Sequence, residues 1–157
     1  MRVLIDADGC PVVDIALRIC KKYGLECILM CDTAHRFDRE GAVTLVFDKG
    51  ADSVDYALAN RVRAADLVIT QDYGLAALCL SRGARILHQD GWEYTQDNIE
   101  GLLTFRHASA KARAKSGRFK GPKKRTPEQD AAFELSFKQI VSGQKADQGN
   151  SAGGSFE

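Results

Sequence analysis

Short unbroken apolar runs alternate along this chain with stretches whose apolar residues recur at helical spacing. Val3-Leu4-Ile5 is a compact run rich in β-branched residues and reads as a buried strand. Val12, Ile15, Ala16 and Ile19 follow at three- and four-residue intervals. They predict a helix with Pro11 at its first position and Lys21 and Lys22 in its last turn, stopped at Tyr23-Gly24. Cys27 to Cys31 and Val43 to Phe47 read as the second and third strands, with polar, irregular residues 32–41 between them. Asp48 to Asp52 form a turn feeding a helix from about Ser53 to Val62. Leu67 to Thr70 is a fourth strand, a helix from about Gly74 to Ser81 ends at Gly83, and Ala84 to Leu87 is a fifth strand. Further helices are expected at Thr95 to Leu103, at about Ala108 to Lys115, and at Pro127 to Val141. The last has Thr126 as N-cap and Phe133, Phe137 and Ile140 on one face.

Strands alternating with helices predict an α/β fold with a mostly parallel sheet covered on both faces. The 157 residues suit a single domain, expected over 1–141, with a Gly-, Ser-, Gln- and Asn-rich disordered tail at 142–157. The composition, 45% hydrophobic and 27% charged, is that of an ordinary globular chain. Without an apolar run of about 18 residues, no membrane span is expected. The N-terminus enters a strand directly, which argues against a secretory signal. Five cysteines form neither a disulfide framework nor a zinc spacing, and are expected to be reduced, mostly buried thiols of a cytoplasmic protein.

The net charge of +1 hides an asymmetry. Residues 1–105 carry 11 basic and 16 acidic side chains, 106–125 carry 9 basic and none acidic, and 126–157 carry 2 and 5. Within the basic stretch, Arg113, Lys115, Arg118, Lys120, Lys123, Lys124 and Arg125 can track a phosphate backbone, and Phe119 can stack on a base. A solvated segment that merely contacts acidic surface is the plain alternative.

Three predicted strand-to-helix junctions carry Asp: Asp6 and Asp8, then Asp52 with Asp55 one helical turn on, then Asp72. Each alone reads as a turn former or a helix cap. Parallel topology, however, brings all three junctions to one sheet edge, where α/β folds bind ligands. Carboxylates crowded there repel unless a divalent cation neutralises them, and Mg²⁺ or Mn²⁺ suits an all-oxygen set. Asp66 precedes its strand, so it belongs at the opposite edge and is assigned no function.

Several motifs resemble one family. Asp6-Ala7-Asp8-Gly9-Cys10-Pro11-Val12 is similar to the DADxCPV opening of the YaiI/YqxD family (DUF188, UPF0178). Gly50-Ala51-Asp52-Ser53-Val54-Asp55 resembles its GxDxxD element, and Asp66 to Asp72 with Leu75-Ala76 resembles DLVITxDxxLA. Gly121-Pro122 with Arg125-Thr126 resembles GPxxRT. That family in turn resembles PIN and NYN nuclease domains. The resemblance implies a three-layer α/β/α PIN-like domain and a metal-dependent nuclease, with RNA preferred over DNA. Asp6, Asp52 and Asp72 then correspond to the catalytic acidic core, Asp8 and Asp55 are further metal ligands, and Thr70 or Asp8 orients the ligands. The acid that many PIN domains carry shortly after the third Asp has no counterpart among residues 73–77.

Two other readings use the same residues. One is a non-catalytic RNA- or ribosome-binding protein that keeps the basic segment and lacks turnover. The other is a haloacid-dehalogenase-type phosphatase, because Asp6-Ala7-Asp8-Gly9 resembles the DxDG nucleophile motif. That chemistry needs a downstream Lys and a further acidic pair, for which Lys49 and Asp72 are poor substitutes. Cys10, His35, His88 and Trp92 are assigned no role, and the oligomeric state is left open.

Overall fold

The structure, a computed structural model, describes residues 1–32, 39–48, 53–105 and 124–151. Six strands form one sheet: β1 (Arg2–Asp6), β2 (Glu26–Asp32), β3 (Val43–Phe47), β4 (Leu67–Ile69), β5 (Arg85–Leu87) and β6 (Glu93–Tyr94). Their order is β3-β2-β1-β4-β5-β6. The first five are parallel, and β6 pairs antiparallel to β5. Among the described residues, five helices cover the sheet: α1 (Val13–Tyr23), α2 (Ser53–Arg61), α3 (Tyr73–Ser81), α4 (96–105) and α5 (Pro127–Ser151).

The pleat sorts the apolar strand residues into two cores. Val3, Ile5, Leu29, Leu67, Ile69 and Leu87 face α1 and α5, meeting Ala16, Ile19, Phe133 and Phe137. Leu4, Ile28, Met30, Val68 and Ile86 face the other way, meeting Leu58 of α2, Leu75 of α3 and Ile99 of α4. Both faces of the sheet are therefore buried, which is why its strands read as continuous apolar runs. The result is the three-layer α/β/α arrangement expected from the sequence.

Element ends differ in places. Pro11 lies ahead of α1 rather than at its first position, because Val12 is the N-cap and its carbonyl accepts the first helical bond from Ala16 N. Gly24 ends that helix in the left-handed conformation, φ 66°. β6 is missing from the sequence reading, since a two-residue strand leaves no periodicity to detect. Helix α5 continues beyond Val141 to Ser151. Its added residues include Gln144, Lys145, Ala146 and Gln148, all competent helix formers, and no proline. Residues 152–157, and the helix expected at about 108–115, lie outside the described residues.

Helix α5 is held against the β5–β6 turn by close backbone approach. A side chain at Gly91 (φ +94°) would bring its Cβ within 2.6 Å of the Ala132 carbonyl oxygen. Ser136 Oγ donates a hydrogen bond to the Gly91 carbonyl. No helix among the described residues is long and apolar enough to cross a membrane.

Candidate functional site

The chain steps from β1 outward to β2 and β3, then returns to place β4 on the other side of β1. The crevice outside the carboxyl ends of β1 and β4 therefore lies at the reversal of strand order, where open α/β sheets bind ligands. Asp6 is the last residue of β1, and Thr70-Gln71-Asp72 follow β4 directly.

One buried hydroxyl ties the two strand ends together. Thr70 Oγ1 donates to Asp6 Oδ2 at 2.9 Å and accepts from the Asp72 backbone N–H at 3.0 Å. Asp72 Oδ1 in turn accepts from the N–H groups of Gly74 (2.8 Å) and Leu75 (3.2 Å), capping α3. Asp8 Oδ2 accepts from Asp32 N–H at 2.8 Å, fixing the turn after β1 to the end of β2. Asp6, Asp8, Gln71, Asp72 and Tyr73 line an open cleft of about 390 Å³. Asp55 is half-buried in the first turn of α2.

Burial pushes the Asp6 carboxyl up to about 7. The Thr70 hydroxyl opposes this, and the charges of Asp55, Asp72 and Asp8 reinforce it. The fold thus brings Asp6, Asp8 and Asp72 to one cleft, with Asp55 in electrostatic range. Asp52 lies outside the described residues.

A family model described as "Uncharacterized BCR, YaiI/YqxD family" (DUF188) matches residues 4–143. The chain belongs to the YaiI/YqxD family. A UPF0178 protein of Exiguobacterium sibiricum is 50% identical over 141 residues, covering 90% of this chain and 96% of its own. UPF0178 proteins of Clostridium acetobutylicum and Natranaerobius thermophilus are 42% and 40% identical, each over 90% of this chain and 97% and 96% of their own. No solved structure matches the chain. The YaiI/YqxD membership read from the motifs is borne out.

In this YaiI/YqxD chain, no group of three or more His, Cys, Asp or Glu among the described residues is arranged to hold a metal ion. Mg²⁺ does not demand one. It commonly takes one or two carboxylates and completes its shell with waters and substrate phosphates. The oxygen-only donors of Asp6, Asp8 and Asp72 fit such a hard cation, which has to displace the proton that burial favours on Asp6.

Of the basic residues singled out in the sequence, Arg113, Lys115, Arg118, Phe119, Lys120 and Lys123 lie outside the described residues. Lys124 is exposed. Arg125 is engaged within the protein: Nε donates to Asp130 Oδ1 (2.6 Å), Nη1 to Asp90 Oδ1 (2.7 Å) and Nη2 to the Gln89 carbonyl (2.6 Å). That clamp fixes the end of the basic segment beside the carboxyl end of β5.

Cys10 is raised to about 11, chiefly by burial, so its thiol stays protonated despite its place near the start of α1. His88 is lowered by burial, and its Nδ1 accepts from Asp90 N–H at 3.0 Å, which makes it a neutral structural ring. Gln71 and Tyr73 line the cleft without being site candidates in the sequence. Their only signal was adjacency to Asp72 in a strand-to-helix loop.

Proposed function

We propose that this chain is a metal-dependent nuclease that hydrolyses phosphodiester bonds, with RNA as substrate, on a PIN-like domain. The observation that carries the reading is Asp6. It is a carboxyl at the sheet's reversal point, surrounded by Asp8, Asp55 and Asp72 and held at about 7. Perturbation of this kind concentrates at functional sites. Asp6, Asp52 and Asp72 would hold Mg²⁺ or Mn²⁺, with Asp8 and Asp55 adding negative charge around it. A bound ion supplies stabilisation of phosphoryl charge and a water of lowered pKa. Asp6 would hold the cation as its carboxylate, and Thr70 keeps that carboxyl oriented through its 2.9 Å hydrogen bond. Asp72 remains oriented by its two bonds to the start of α3. The basic segment 106–125, anchored through Arg125, supplies the phosphate-binding surface. The free state of all five cysteines supports a cytoplasmic setting.

A second reading has its own support. Asp72 caps a helix and Asp8 holds the end of β2, so both have structural work in a non-catalytic RNA-binding protein. Calorimetry with Mn²⁺, followed by cleavage assays on a panel of RNAs, decides between them. The nuclease reading expects wild type to bind and cleave. It expects folded Asp6→Asn and Asp72→Asn to lose at least a hundredfold in rate. Binding of RNA without Mn²⁺- or Mg²⁺-dependent cleavage overturns it in favour of the binding protein.

A further inference from the structure

The acidic cleft has one wall that is not acidic. Tyr73, the first residue of α3, lines the cleft beside Asp72 and Gln71. Its ring meets Tyr94 edge-on, with centroids 5.9 Å apart and planes at 65°. Tyr94 is buried and packs edge-on against Trp92 at 4.6 Å. Trp92 stacks on His88 at 4.3 Å with planes 13° apart. His88 holds the Asp90 backbone, and Asp90 receives Arg125. A continuous aromatic brace therefore runs from the cleft to the anchor of the basic segment. The carboxylates and Arg125 account for neither the brace nor a half-exposed tyrosine at its cleft end.

We infer that Tyr73 is a substrate-binding residue: its ring stacks on a nucleobase adjoining the phosphate that a divalent cation would bridge to Asp6 and Asp72. This rests on the nucleic-acid reading of the site. A flat π-face beside the charged cleft accepts any unstacked base and recognises no particular one, because every base has a π-face. The brace stops the ring from swinging away, so little side-chain freedom is lost on binding. The base must be splayed out to reach Tyr73, so the strand at this position is single. Gln71, next to it, offers an amide donor and acceptor to the same base or its sugar.

The test uses single-stranded octaribonucleotides carrying either one 2-aminopurine or one abasic position, with Ca²⁺ as the hard cation, and the full-length protein. Wild type should quench the 2-aminopurine and bind the base-bearing strand about tenfold more tightly than the abasic one, the factor that one stack of about 1.4 kcal/mol produces. Tyr73→Ala should lose quenching and preference while keeping wild-type affinity for the abasic strand, and Tyr73→Phe should restore both. Emission of Trp92, the chain's single tryptophan, reports whether the brace is intact. If Tyr73→Ala does not fold, Tyr73→Leu keeps the bulk without the π-face and carries the same expectation. Equal wild-type affinity for the two strands, or a Tyr73→Ala protein that discriminates as wild type does, overturns the inference. Mn²⁺-dependent cleavage alongside that result leaves the nuclease reading standing. A Tyr73-dependent preference without cleavage removes the nuclease reading and keeps the stacking residue.

Discussion

Asp6 and Asp66 sit at opposite ends of the same sheet and are handled in opposite ways. Asp66, just before β4 and 4% exposed, meets a cation at once: Arg2 approaches with Nη2 at 2.7 Å from Oδ2 and Nε at 3.2 Å from Oδ1. The Arg63 N–H adds a third bond at 2.8 Å. Asp6, four residues along β1 from Arg2, has a neutral hydroxyl and three carboxylates around it. The first arrangement is what a fold does with a carboxylate it needs only for structure. The second brings three like charges within range of one carboxyl, an arrangement that the cation of the proposed function would stabilise. Chemistry and topology agree on the location, since Asp6 lies at the carboxyl edge and Asp66 at the amino edge.

The contrast breaks most forcefully at the paired end. Arg2→Ala strands a buried carboxylate and also removes the 2.9 Å bond from Arg2 Nη2 to the Arg61 carbonyl, which ties β1 to the end of α2. We expect a loss of about 4 kcal/mol, read from the urea midpoint at unchanged slope. A loss below about 1 kcal/mol would put this pair in the class of surface salt bridges and erase the distinction.

At the unpaired end the sign reverses. Asp6 titrates near 3.8 unfolded and at about 7 folded, so between those values the folded state holds the extra proton. Its contribution to stability is complete below pH 3.8, declines as pH rises through that window, and is at its lowest above 7. Asp6→Asn keeps an acceptor for Thr70 and removes the charge. It should be more stable than wild type at pH 8 by about 2 to 3 kcal/mol, because the amide still has to be buried. The gap should close towards pH 4. Equal stability at both pH values would mean that Asp6 ionises in the folded protein as freely as in the unfolded chain. A substitution that strengthens the fold while abolishing metal binding is the behaviour expected of a functional residue.

Much of this frame was legible in the sequence. Buried parallel strands announce themselves as unbroken apolar runs, and Val3-Leu4-Ile5 and Leu67-Val68-Ile69 supply two of them. Asp6 directly after the first run and Asp72 three residues beyond the second indicated the edge at which both emerge, because strand direction and crossover hand leave no other choice. What the sequence could not give was pairing across distance. Nothing near Arg125 announces Asp90, 35 positions away, so a residue in a basic run read as a phosphate contact although it closes an internal clamp. Tyr73 was passed over for a similar reason. Its meaning comes from Tyr94 and Trp92, which a two-residue antiparallel strand brings alongside.

Thr70 is where the smallest effect carries the sharpest information. The residue is 2% exposed, and its hydroxyl joins the two strand ends by donating to Asp6 and accepting from Asp72 N–H. Thr70→Val keeps the shape and deletes both bonds. The half-buried Asp72 N–H then loses this acceptor and Asp6 loses this donor, an expected loss of about 1 to 2 kcal/mol. The direction of a second change is the stronger check. The hydroxyl stabilises the ionised form of Asp6, so removing it must lift that carboxyl further above about 7, as followed by carbon-detected NMR titration of its side chain. Metal affinity at neutral pH should fall in step, because the cation then competes with a more tightly held proton. A carboxyl that stays where it was, with metal affinity unchanged, would show that the neighbouring acids and not the hydroxyl govern Asp6. In that case Asp55→Asn, which removes the neighbouring charge that raises Asp6 most, becomes the substitution that should release the proton.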